Sequence, residues 1–192
     1  LKNKKAILYN ETNNKNNATK AKNLKELAFG KKNKFIHSDI GYNYRLTNIQ
    51  AAIGCGQMRK IKTIINSKRK IAERYQKLLD YKNYFILPND DKNCFNVYWM
   101  YLLILKDEYV DQREFIMKKL KINGVETREG FVSATLQKFF IENKIISKKH
   151  KCPNAEKASF SAFYLPSSPD LSLKEQKYIC ESLINIMTSI AI

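Results

Sequence analysis

Residues 35–79 read FIHSDIGYNYRLTNIQAAIGCGQMRKIKTIINSKRKIAERYQKLL, and this stretch decides how the chain is read. It opens on a polar and aromatic turn, Gly41-Tyr42-Asn43-Tyr44-Arg45, and continues as a long amphipathic helix expected over 47–80. Thr47 followed by Gln50 has the form of a capping box, in which each side chain satisfies a backbone N–H at the helix start. Apolar residues then fall at Ile49, Ala52, Ile53, Ile61, Ile64, Ile65, Ala72, Tyr75, Leu78 and Leu79. These are steps of three and four, the period of one buried helical face. Gly54 and Gly56 each cost about 1 kcal/mol relative to alanine in an exposed helix. Their place beside Ala51 and Ala52 predicts that another backbone or a ligand passes close to the first turns. A polar-aromatic turn just ahead of a helix start is a candidate ligand site, because the first backbone N–H groups there can meet an anion.

The rest of the 192 residues bounds the class. Hydrophobic residues make up 44% and aromatics 11%, which places the chain among globular proteins rather than disordered ones. No run approaches the roughly 18 to 20 apolar residues that span a membrane. The Lys- and Asn-rich N-terminus has no apolar segment of the secretory kind. Cys55, Cys94, Cys152 and Cys180 are scattered without C-x-x-C spacing, so reduced thiols are expected rather than disulfides or a metal site. Together these features predict a cytoplasmic protein. The net charge of +17 raises the question of nucleic acid. The basic residues form only short clusters, at Lys31-Lys32, Lys68-Arg69-Lys70 and Lys148-Lys149-His150-Lys151. Solvated lysine faces account for that pattern better than a nucleic-acid module does.

Taken in order, residues 5–9 (KAILY) read as a short strand and 10–20 as an exposed polar loop. AKNLKELAFG at 21–30 reads as a helix ended by Gly30. The turn-rich connection at 80–92 marks a boundary, giving domains 1–80 and 81–192. NCFNVYWMYLLILK at 93–106 is the best strand, with Trp99 expected in the core. A helix from Asp111 to Gly124, with Phe115, Ile116, Met117 and Leu120 as its apolar side, and a short strand at 125–128 complete a small α/β layer. Residues 136–150 read as helix or loop, and Cys152-Pro153 opens a further helical segment. Ser172 with Glu175 is a second capping box, starting a closing helix that carries Ile179, Leu183 and Ile186 on one side.

GYNYRLTNIQAAIG, Gln57 and the Lys68-Arg69-Lys70-Ile71-Ala72…Tyr75…Leu78 pattern resemble the DegT/DnrJ/EryC1/StrS sugar aminotransferases. So do the VYWMYLLIL strand and CPNAEKAS…YLPSSPDLSLKEQ, so the resemblance runs from about Ala21 to the end. It implies an α/β fold: part of the pyridoxal-phosphate fold type I (aspartate-aminotransferase-like). The chain would supply the end of the large domain with its long interface helix, joined to the C-terminal small α/β domain.

The implied cofactor is pyridoxal 5′-phosphate, and the implied substrates are glutamate and a nucleotide-diphospho-4-keto or 3-keto deoxyhexose of the perosamine or viosamine kind. The family's Schiff-base lysine lies in a Gly-rich segment that has no counterpart here, so no catalytic residue is assigned and the chain alone is expected to be inactive. Asn43 takes the role of the asparagine that reaches the cofactor phosphate of the other subunit, with Arg45 and Tyr44 beside it as cofactor-binding residues. His37, Tyr42, Arg128 and Thr135 are the implied substrate-binding residues. A lone histidine is more often structural, which is the competing reading of His37. In REGFVSATLQ at 128–137, Ser133 stands where the family has Pro and Thr135 where it has His. Threonine hydrogen-bonds but does not transfer protons near neutral pH. The implied partner is a second copy, an N-terminal half or a complete paralogue. A non-catalytic subunit and, behind it, a basic nucleic-acid binder are the alternatives.

Overall fold

Along residues 61–79 the apolar period is strong enough to commit one helical face to burial, and this helix organises the core. The computed structural model describes residues 14–29, 35–37, 39–79, 83–91, 93–147 and 149–191. The strand expected at 5–9 and the cap expected at Gly30 lie outside them. The chain divides into two compact units, residues 1–59 and 60–192.

The described residues of the first unit form two helices, α1 (Lys15–Lys25) and α2 (Asn48–Arg59). α1 corrects the expected loop at 10–20. Asn14 caps it, its side chain accepting from the backbone N–H of Asn16 at 2.9 Å and Asn17 at 3.2 Å. The helix ends at Glu26 rather than Gly30, and the chain reverses through Leu27 and Ala28, both at positive φ. Ala28 is the one fully buried hydrophobic residue among those described in this unit.

The single helix expected over 47–80 is two, α2 and α3 (Ile61–Leu79), with Lys60 as a turn between them. The Thr47–Gln50 capping box forms: Thr47 N donates to Gln50 Oε1 at 2.9 Å and Gln50 N to Thr47 Oγ1 at 3.2 Å. α3 buries Ile71, Ala72, Tyr75 and Leu79, whereas α2 buries nothing and Ile49 is 75% exposed. The periodicity marks the apolar side of both helices, but among the described residues only that of α3 is buried. A Cβ built on Gly54 or Gly56 meets no atom within 4 Å, so the close approach expected there is absent among the described residues.

The second unit is a four-stranded antiparallel sheet, order β1-β2-β4-β3, with helices against it. Its elements after α3 are β1 (Phe85–Ile86), β2 (Tyr101–Leu105), α4 (Arg113–Ile122), β3 (Arg128–Glu129), α5 (Lys138–Glu142), α6 (Pro153–Ser161), β4 (Ala162–Leu165) and α7 (Leu173–Ile190). β2 alternates as a half-buried strand should, with Tyr101, Leu103 and Leu105 inward. Phe163 and Leu165 of β4, Ile116 and Leu120 of α4, and Ile179, Leu183 and Met187 of α7 fill the same core as the inner side of α3. Fully burying each such side chain contributes about 1.5–3 kcal/mol.

Three expectations need correcting here. The strand at 93–106 is only five residues long, because Asn96 and Asp91 close turns on the backbone N–H groups of Tyr98 and Asn93. Trp99 sits in the bend before it and is 68% exposed. β4, which pairs with both β2 and β3, lies between the helical segment opened at Cys152-Pro153 and the closing helix, where no strand was expected.

Polar bonds tie the periphery to α3. Arg69 donates to Asp90 Oδ2 at 2.7 Å, and Tyr98 donates to Oδ1 of the same carboxylate at 2.9 Å. The guanidinium also lies over the Phe95 ring, 4.6 Å from its centroid. Lys68 Nζ donates to the carbonyl oxygens of Trp99 at 3.0 Å and Ser167 at 2.5 Å. Tyr75 donates to Pro166 O at 2.7 Å.

Candidate functional site

In the first unit the residues read as a clamp lie on one extended segment. Tyr42 N donates to Leu24 O at 2.6 Å, Leu27 N to Tyr42 O at 3.1 Å and Tyr44 N to Lys25 O at 3.1 Å. These bonds lay residues 42–44 antiparallel to the end of α1, with Glu26 opposite Asn43. Gly41 makes the approach possible: a Cβ there would stand 2.2 Å from the Leu27 carbonyl carbon and 2.4 Å from Ala28 N. Extended backbone sends alternate side chains to opposite sides. Tyr42 and Tyr44 accordingly stack, ring centroids 5.4 Å apart and planes 5° from parallel. Asn43 and Arg45 meet on the other side, the Arg45 Nε–H donating to Asn43 Oδ1 at 3.0 Å.

All four side chains are exposed. His37 approaches the same corner, its Nδ1 2.6 Å from Leu27 O and its ring 5.3 Å from that of Phe29. A carbonyl oxygen only accepts, so Nδ1 carries the proton and Nε2 is left as the outward nitrogen.

The second unit holds the other two residues. Arg128 lies in the edge strand β3, opposite Tyr164, with its side chain exposed. The chain leaves β3 through Gly130, where a Cβ would meet that of Ala162 at 2.9 Å, and enters a short 3₁₀ turn, Ala134–Leu136. Ser133 N donates to Ser159 Oγ at 2.8 Å, and Thr135 Oγ1 donates to Glu156 Oε1 at 2.8 Å. The same carboxylate oxygen accepts from Cys152 N at 3.1 Å. The backbone N–H of Cys152 and then the Thr135 hydroxyl hold the Glu156 carboxyl below its ordinary value. The Thr135 proton is thus committed to Glu156, and its oxygen lies 2.9 Å from Ser133 Oγ.

The structure therefore gathers His37, Tyr42, Asn43, Tyr44 and Arg45 in the first unit, and Arg128 and Thr135 within the second. Sequence reading missed Gly41 as the point of close backbone approach and Glu156 as the partner of Thr135. A carboxylate at the fourth residue after Cys152, in the first turn of α6, was the available signal for the second. Among the described residues no group of His, Cys, Asp or Glu is placed to hold a metal ion. No described helix is long and apolar enough to cross a membrane.

The 42–45 segment thus presents exposed N–H donors beside two stacked phenols. The model of the DegT/DnrJ/EryC1/StrS aminotransferase family matches residues 10–184. GDP-perosamine synthase of Escherichia coli O157:H7 is 34% identical over 149 residues, 78% of this chain and 38% of that protein. The GDP-perosamine synthase of Vibrio cholerae is 31% identical over 161 residues, 82% of this chain and 42% of that protein. Among solved structures, Helicobacter pylori PseC, an aminotransferase of pseudoaminic acid biosynthesis, superposes with a TM-score of 0.77 at 20% identity over 93% of this chain and 48% of its own. NtdA of Bacillus subtilis, with bound cofactor PMP, superposes at 0.72 with 26% identity over 92% of this chain and 41% of its own. The chain spans less than half the length of these relatives.

Proposed function

Because the chain belongs to the DegT/DnrJ/EryC1/StrS aminotransferase family, we propose that it forms the later part of a pyridoxal-phosphate sugar aminotransferase. Residues 1–80 are the end of the large domain and residues 81–192 the small domain. The reaction is amino transfer from glutamate to a nucleotide-diphospho-4-keto or 3-keto deoxyhexose, in the cytoplasm. The two GDP-perosamine synthase relatives support this substrate class. When bound, the cofactor would supply a carrier for the amino group and an electron sink for the carbanion formed beside it.

This chain's own residues bind and orient. Asn43 and Arg45 grip the phosphate, with Tyr44 beside them, and His37 and Tyr42 border the substrate. Arg128 offers a planar cation to the sugar nucleotide's phosphates. Thr135, already donating to Glu156, accepts from a substrate hydroxyl rather than moving a proton. The lysine that anchors the cofactor belongs to the part of the relatives that this sequence does not span. The observation that most supports the reading is the exposed Asn43–Arg45 pair, fixed by the bonds from residues 42–44 to the end of α1. An association with a second copy, an N-terminal half or a paralogue is favoured because the first unit buries only Ala28 completely among its described hydrophobic residues.

Given pyridoxal phosphate, the 192-residue chain alone is expected to develop no visible absorbance of a lysine-bound cofactor. A borohydride-stable adduct on one specific lysine overturns that. In an assembled enzyme, Asn43→Ala weakens cofactor retention on dialysis, and unchanged retention counts against the clamp.

A further inference from the structure

We propose that Arg45 is a positioning residue: it holds the Asn43 amide by its oxygen, so that the pair presents donors alone to a phosphate monoester. The inference rests on the clamp reading above and adds a second residue acting through the first. An asparagine amide is two-faced, one oxygen accepting and one NH₂ donating, and either face can turn outward. Here the oxygen is engaged by the Arg45 Nε–H at 3.0 Å. Among the described residues nothing accepts from Asn43 Nδ2, and no carboxylate pairs with Arg45.

What remains exposed is the Nδ2 amide and the terminal guanidinium nitrogens, a patch of N–H groups without an acceptor. A phosphate dianion only accepts, and its bonds to a charged donor are the stronger kind. The alternation of the extended backbone keeps the phenolic oxygens of Tyr42 and Tyr44, which also accept, on the opposite side. Residues 1–59 carry three acidic residues, Glu11, Glu26 and Asp39; Glu26 opposes Asn43 across the bridge but makes no ion pair with Arg45 among the described residues. A lysine at 45 would carry the same charge on a flexible point donor, without the planar fork that fixes the amide.

The test uses the full 192-residue chain with two probes, pyridoxine 5′-phosphate and pyridoxine. Their hydroxymethyl group cannot condense with lysines, so only recognition is read. Binding is followed by NMR of the Asn43 side-chain amide and of the backbone amides of residues 42–45, with the α3, α4 and α7 amides reporting that the fold is intact. The chain is expected to prefer the phosphorylated probe, and Asn43→Ala and Arg45→Lys each to lower that preference about tenfold, the effect of losing one charge-assisted bond. Preference lost in Asn43→Ala but kept in Arg45→Lys overturns the positioning role and leaves the clamp standing. No preference in the parent chain, or none lost in Asn43→Ala, overturns both. A second readout needs no ligand: in Arg45→Met the Asn43 Nδ2 signals shift toward those of a free amide, and unmoved signals overturn the inference.

Discussion

Asp90 shows how much one side chain decides outside the site. It takes a guanidinium from α3 and a phenol from the bend before β2, so it fastens the 88–98 segment to the core. The bonds from Arg69 and then Tyr98 hold its carboxyl below the ordinary value. A carboxylate with a lowered folded-state pKa contributes stability that is complete above its unfolded value and drains away as pH falls through the folded one. Asp90→Asn is therefore expected to flatten the acid limb of stability below about pH 4, measured by urea unfolding across pH. A limb as steep as the parent's would show that the pair adds nothing. At this scale the sequence was only partly legible. GYNYR advertised its own polarity, but the need for glycine at 41 depends on the Leu27 backbone behind it, fourteen residues away in sequence. Glu156 gave only its place in the first turn of α6, since its partner Thr135 arrives from another loop.

Local elements were the most readable. Both capping boxes, Thr47–Gln50 and Ser172–Glu175, form because all their partners lie within four residues. Ser172→Ala is expected to cost about 1 kcal/mol, seen as a lower thermal midpoint, whereas Glu175→Gln keeps the box and most of the stability. Equal losses in the two would mean that charge at the start of α7, not the reciprocal bonding, matters there. Periodicity was less complete as a guide. It gave the apolar side of α2 and α3 alike, yet burial followed only for α3, because a stripe of isoleucines states which side is apolar and not what covers it. The first part of α1, residues 15–20, was missed for the opposite reason. It carries no apolar stripe and stands on the Asn14 cap and the Tyr42 and Tyr44 contacts, which only the folded chain supplies.

For the molecule as a whole, the contrast between the units governs behaviour. The second holds a continuous core from α3 to α7, while the first buries one alanine completely among its described hydrophobic residues. Opening free energies range from near zero to the global value according to such burial. Amide exchange is thus expected to fall into two classes, with α1 and α2 exchanging at least about a hundredfold faster than β2, β4 and α7. Uniform protection across residues 14–191 would contradict this. Adding a polypeptide that bears the family's earlier half should slow exchange in α2 selectively.

The outermost strands, β1 and β3, are two residues each, at opposite ends of the sheet. An edge that brief gives an incoming chain almost no ladder to copy, and β3 adds the charges of Arg128 and Glu129 to it. Association through the exposed isoleucines of α2 would then bring side chains together without offering a seed for fibrils. Self-association by that route is expected to give amorphous clumping rather than amyloid.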